Sequence, residues 1–255
     1  MFSWFKNSRR KRLLAEPFPP EWLEILSRNV AYYALLPPEN QKRLRDTTRI
    51  LVAEREFGGA RDVVVTPEMK VTIAAQAALL LLGVEGYYFD KMHVILIYRD
   101  RFSHQVLPLE AGEAADDSEL LGEARLHIGV RLSWEDVLFS GRNPRDGENL
   151  VLHEFAHHLD GLDGEMGGHP PQDSSAKDTR WKQVMEREYQ RLVGDVEQHR
   201  PTLLDPYGAE NEAEFFAVAT ESFYEEPVEL REEHPELYEI LRGFYHVDPA
   251  LWFKA

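Results

Sequence analysis

Asn149-Leu-Val-Leu-His153-Glu154-Phe-Ala-His157-His158-Leu-Asp160 is the stretch on which the reading of this chain turns. Its apolar residues, Leu150, Val151, Leu152, Phe155, Ala156 and Leu159, describe a half-buried helix. On that helix His153 and His157 are four residues apart, one above the other on a single face and about 6 Å from each other. Two imidazoles so placed can occupy two corners of a zinc tetrahedron. Glu154 is turned about 100° away from His153, which keeps it off the ligand face yet within reach of a water on the cation. Zinc makes water a nucleophile near neutral pH, and a carboxylate beside it takes up the proton. His153 and His157 are therefore candidate metal ligands and Glu154 the candidate general base. His158 faces elsewhere and reads as a packing histidine.

A catalytic zinc needs a third protein ligand and an open position. Two residues compete. Asp163 lies six residues beyond His157, where a turn can swing a carboxylate back, but that geometry calls for glycine at the place held by Asp160. Glu214 opens a second apolar helix, Asn211-Glu-Ala-Glu214-Phe-Phe-Ala-Val-Ala-Thr-Glu221, for which Asn211 is the natural cap. Asn-x-x-Glu also fits a capping box, so Glu214 has a purely structural reading. On the other side, Glu214 and Glu221 share a face lined by Ala217 and Val218, which is costly for carboxylates without a cation. The residues alone leave both candidates open.

Outward from this centre, the first third reads as helices: one after Pro19-Pro20, one opened by Pro37-Pro38-Glu39, and a buried one from Glu68 to Leu82 capped by Thr66. His93-Val-Ile-Leu-Ile-Tyr98 reads as a buried strand, and Arg125 to Leu132 as a half-exposed one whose edge can receive an extended peptide. Glu110 to Glu123 is acidic and small-residue rich, a surface loop. After Trp134 the chain returns to helices, with an exposed charged one from Arg180 to Val193. The expected class is α+β, predominantly helical, as one domain over 1–255 with residues 1–16 a mobile basic tail.

The bulk composition narrows the functional classes. A formal charge of −16 over 255 residues argues against direct nucleic-acid binding. With no cysteine, disulfides, thiolate zinc sites and cysteine nucleophiles are excluded, and a reducing compartment is favoured. No apolar run follows the basic cluster Arg9-Arg10-Lys11-Arg12, so no secretory signal is expected. The longest apolar run, Ile73 to Leu82, is about half of what a bilayer span needs. A cytoplasmic protein without a membrane span is the expectation.

His153-Glu-Phe-Ala-His157-His-Leu-Asp160 followed by Tyr207-Gly-Ala-Glu-Asn-Glu-Ala-Glu214-Phe-Phe-Ala resembles the Mlc titration factor A family of zinc peptidases, whose catalytic region is similar to the anthrax lethal factor protease domain. Val71-Thr-Ile-Ala-Ala-Gln-Ala77 and the strand at 93–98 also look like family segments. The resemblance implies a zincin-like fold of the gluzincin group with a small mixed or antiparallel sheet, and Glu214 as third ligand. It implies that Tyr207 hydrogen-bonds the developing oxyanion; Glu221 and Asp160 are candidates for orienting ligand imidazoles, as such sites commonly require. Aminopeptidase activity on a peptide or protein substrate, and a partnership with a transcriptional repressor, follow from the same resemblance. The alternative is a non-catalytic protein that sequesters a transcriptional regulator. Family members can carry an additional histidine in the loop before the strand leading to the active helix; Glu110 to Glu123 has none.

Overall fold

The computed structural model describes residues 2–99, 129–172 and 174–253, with side chains from Lys6 onward. The acidic loop at 110–123, the beginning of the strand expected from Arg125, and His104 and His127 lie outside the described residues.

Proline punctuates the helical first third. Helices α2 (Pro20–Asn29), α4 (Pro38–Glu54) and α5 (Pro67–Leu79) each carry proline in the first turn, where its missing N–H costs nothing. Thr66 caps α5 by accepting the Met69 N–H at 3.2 Å. Every residue of α5 from Val71 to Leu79 is buried, as an all-round apolar helix requires. Between α2 and α4, the single turn α3 (Tyr32–Leu35) buries Tyr32.

Strands β1 (Glu56–Gly59), β2 (Val94–Tyr98) and β3 (Gly129–Ser133) form a sheet in the order β1-β2-β3, with both pairings parallel. A mixed or antiparallel sheet was expected. β1 and β2 run parallel because α5 and its flanking turns carry the chain back between them, the long crossover that parallel neighbours need. Side chains alternate across the sheet: Ile95, Ile97, Val130 and Leu132 enter the main core, whereas Val94 and Leu96 join Ala60 on the opposite face.

Beyond the sheet come α6 (Trp134–Arg142), α7 (Leu150–Asp160), α8 (Ser175–Glu197), α9 (Glu212–Glu225), α10 (Pro227–Glu233) and α11 (Pro235–Tyr245). Helix α8 is less exposed than its charge suggests, since Trp181, Val184, Met185, Glu188 and Leu192 make a buried stripe. Helices α7 and α9 pack side by side, and every residue of α9 from Glu214 to Glu225 is buried. One continuous apolar cluster runs from Ile25 to Trp252.

The basic run expected to be a mobile tail is helical instead, within α1 (Phe2–Ala15). Arg10 explains why. Its guanidinium is buried, donates to both carboxylate oxygens of Glu54 at 2.9 and 2.6 Å and to Asp90 at 2.7 Å, and lies 4.3 Å above the Tyr88 ring. Arg9, Lys11 and Arg12 stay exposed. Among the described residues, no helix is long and apolar enough to cross a membrane.

Candidate metal centre

Helix α7 starts at Asn149, whose side-chain oxygen accepts the Leu152 N–H at 3.1 Å. Its inward face packs Val151, Leu152, Phe155 and Ala156 into the core. That burial fixes the helix rotation, and with it where His153 and His157 point. Their Nε2 atoms lie 3.1 Å apart.

Glu214 meets them from α9. Asn211 caps that helix by accepting the Glu214 N–H at 3.0 Å. The reciprocal half of a capping box is not made; the Glu214 carboxylate turns to the imidazoles, its Oε2 at 3.0 Å from His153 Nε2 and 3.2 Å from His157 Nε2. The three donor atoms thus form a near-equilateral triangle. Ligands held 2.0–2.1 Å from a tetrahedral zinc lie about 3.3 Å from one another, so the triangle has the dimensions of one face of such a site. These residues fit a divalent cation in chemistry as well as size, with two imidazole nitrogens and one carboxylate oxygen gathered together. Asp163 is not among them. It is exposed in the short turn Gly161–Asp163 and accepts the Glu165 N–H at 3.1 Å.

Glu221, seven residues along α9, accepts from His153 Nδ1 at 2.6 Å through one oxygen and from the Asn149 N–H at 2.5 Å through the other. A proton held on Nδ1 leaves the Nε2 lone pair facing the triangle. His157 Nδ1, by contrast, is buried without a hydrogen-bond partner among the described residues. The expectation that Asp160 orients an imidazole is corrected. Its two oxygens accept the N–H groups of Gly168 and His169 at 2.8 and 2.7 Å, stapling the following loop. There Gly168 has φ +72°, and a Cβ on it would stand 2.3 Å from the Glu212 carbonyl oxygen. Asp160 therefore holds the loop against the start of α9 rather than touching the triangle.

Electrostatics bind the cluster together. Burial works against a charged His153, but the carboxylates of Glu221 and Glu214 outweigh it and push the imidazole up to about 10, so a cation binding at Nε2 would displace a proton there while Nδ1 keeps the one held by Glu221. Burial likewise opposes ionisation of Glu214, yet hydrogen bonds from both histidines hold its carboxyl down to about 2. Glu154 is half-buried on the next position of α7, and desolvation raises its pKa against the pull of the two histidines. Among the described residues it makes no hydrogen bond, which leaves its oxygens available to a water.

Tyr207 lies in a 3-10 turn, Pro206–Ala209, whose start is fixed by Asp205 accepting the Tyr207 N–H at 2.7 Å. Its ring centroid is 6.0 Å from that of His153. Burial, followed by the charges of Glu214, Glu210 and Glu154, pushes the phenol up to about 12, so at neutral pH it keeps its proton and can donate it in a hydrogen bond. His158 packs 5.8 Å from the Phe89 ring, and burial lowers its pKa to about 4; it remains a neutral packing residue. The sequence reading missed Asn149 as an organiser of the site, although an Asn directly before an apolar helical run is a capping signal.

Comparison with known proteins places the chain in a family. The model of the family described as "Glucose-regulated metallo-peptidase M90" matches residues 5–246. The uncharacterized protein slr2042 of Synechocystis sp. (strain ATCC 27184 / PCC 6803 / Kazusa) is 35% identical over 246 residues, covering 95% of this chain and 90% of the relative. Mlc titration factor A of Yersinia pestis (strain Pestoides F) is 27% identical over 261 residues, covering 98% of this chain and 91% of that protein. A predominantly helical α+β fold of zincin-like type is shared with such metallopeptidases. The histidine pair on α7, the buried carboxylate from α9 and the match along nearly the whole chain lead to one assignment: this chain belongs to the glucose-regulated metallo-peptidase M90 family.

Proposed function

We propose that this chain is a zinc-dependent peptidase, a single domain over 1–255, with His153, His157 and Glu214 as metal ligands and Glu154 as general base. The observation that carries this reading is the triangle of donor atoms with edges of 3.0 to 3.2 Å. Bound there, zinc supplies the Lewis acidity that makes water a nucleophile near neutral pH. Glu154 takes the proton from the attacking water and delivers it to the leaving amine nitrogen. Tyr207 donates its O–H to the oxygen that becomes negatively charged as the carbonyl is attacked, an interaction strongest in the transition state. An extended peptide lying along β3, which packs beside α7, would present its carbonyl to this machinery.

Specificity for a free amino terminus is part of the proposal. Glu210 is exposed and Glu212 half-buried, each a few residues from Tyr207 and Glu214 along the chain, and their charges suit an ammonium group. A cytoplasmic setting accords with the absence of cysteine.

Glu154→Gln tests the reading. The variant should retain stoichiometric zinc and its fold while hydrolysis of chromogenic aminoacyl substrates falls by about 10² to 10⁴. An unchanged rate would remove Glu154 from the chemistry. Cleavage of N-acetylated peptides as fast as free ones would remove the aminopeptidase specificity. The name of the Yersinia relative favours a second reading, capture of a transcriptional repressor. Repressor capture by Glu154→Gln at wild-type affinity would make binding independent of catalysis.

A further inference from the structure

We propose that Glu225, which touches none of the three metal donors, positions His153 through a relay of Asn149 and Glu221. The inference rests on the metal-site reading above and extends it to a residue one turn further along α9.

Glu214, Glu221 and Glu225 are spaced by seven and four residues, so they share the face of α9 that meets the first turn of α7. Glu225 Oε1 accepts from the Asn149 side-chain amide at 3.1 Å. That contact sets the amide's orientation, with its nitrogen toward Glu225 and its oxygen toward the Leu152 N–H at 3.1 Å. The reverse orientation would set an NH₂ group against that N–H. With Asn149 held at the cap, its backbone N–H is aimed at one oxygen of Glu221, leaving the other for His153 Nδ1. Asn149, Glu221 and Glu225 are 0%, 7% and 1% exposed, so no solvent competes for these bonds.

Glu225 has Tyr32 on its other side. Burial outweighs the hydrogen bond from Asn149 and the pull of the nearby Tyr32 phenol, and with the charges of Asp146 and Glu221 pushes its carboxyl up to about 9. An uncharged acid at this position accepts from Asn149 without adding a third negative charge beside Glu221 and Glu214. A glutamine would do the same, and a leucine of similar volume would not.

Zinc affinity is the readout, measured by chelator competition on wild type, Glu225→Gln, Glu225→Leu, Glu221→Gln and the double variant Glu221→Gln/Glu225→Leu. Outer partners of metal ligands typically contribute 10- to 100-fold in affinity. Glu225→Leu should weaken zinc binding about 10-fold, and Glu225→Gln should stay within about twofold of wild type. In the Glu221→Gln background the leucine should cost nothing further, because the relay is already cut. Asn149→Ser keeps the capping oxygen but loses the donor to Glu225, and it should match the leucine loss even if Glu225→Leu does not fold. Wild-type affinity in Glu225→Leu and Asn149→Ser, a Gln variant as weak as the Leu variant, or additive losses would each overturn the relay alone. A wild type that binds no stoichiometric zinc would overturn the metal-site reading and the relay with it.

Discussion

Replacing Glu221 by glutamine changes one atom and no volume, yet the hydrogen bonds around it make the exchange costly. Both oxygens of Glu221 accept N–H groups, one from His153 at 2.6 Å and one from the Asn149 backbone at 2.5 Å. An amide has one acceptor and one NH₂, so in either orientation it sets a donor against a donor. With its oxygen toward His153, the NH₂ faces the Asn149 N–H, which is buried and then unpaired, a penalty of about 1–3 kcal/mol. In the opposite orientation the NH₂ needs an acceptor on His153 Nδ1, which moves the imidazole proton to Nε2, the atom facing Glu214 and His157. Zinc at Nε2 then forces the one remaining ring proton onto Nδ1, where it meets the NH₂ instead of a carboxylate oxygen. Either route weakens zinc by about 10- to 100-fold, roughly 1.4 to 2.7 kcal/mol. Chelator competition at pH 7.5 measures the loss, with circular dichroism to show that the helices persist. Zinc affinity within twofold of wild type in a folded Glu221→Gln would refute the argument that these two bonds fix His153.

Two further outcomes are expected. If the Tyr207 phenol acts, as proposed, on charge that develops only during reaction, Tyr207→Phe should lower kcat by about 10² while KM and zinc content stay near wild type; a loss smaller than threefold in steady-state kinetics would exclude that role. Glu225 gives a pH signature in thermal unfolding: its carboxyl titrates near 9 in the fold against an ordinary 4.5, so the unfolded chain releases the proton first and this residue's contribution to stability falls as pH rises from about 4.5 to 9. The Tm advantage of Glu225→Gln over wild type should therefore grow across that window, and a pH-independent difference would mean that the carboxyl is ionised inside the protein.

How far the sequence could be read depends on the range of each interaction. The spacing of His153 and His157 is legible because a helix places residues four apart on one face whatever surrounds it. Glu214 is 57 and 61 residues from these partners, and no local period encodes that meeting. As Asn-x-x-Glu it had an equally good capping reading, and only the family resemblance tipped the balance. Asp160 shows the converse error: a carboxylate at the end of the active helix looks like an imidazole partner, but it is engaged by Gly168 and His169. The apolar run at 93–98 and the alternation at 125–132 point to strands, of which Val94–Tyr98 and Gly129–Ser133 are described, without marking their direction. The basic run at 9–12 resembles a solvated tail until Glu54 and Asp90 are brought beside Arg10. Asn149 and Glu225 were invisible as a pair, since each has an unremarkable local role.

The pairing of α7 with α9 sets the unit in which this protein can be recombined with its relatives. Three acidic positions on α9 are each matched to particular atoms at the start or on the histidine face of α7, and the matches differ in kind: a carboxylate oxygen set between two imidazole nitrogens, a double acceptor and an acid that accepts from an amide. Grafting either helix alone from a homologue with a different pattern would leave acceptors facing acceptors in a dry interior. Hybrid enzymes should keep both helices from one parent and place their junctions in the loops outside them.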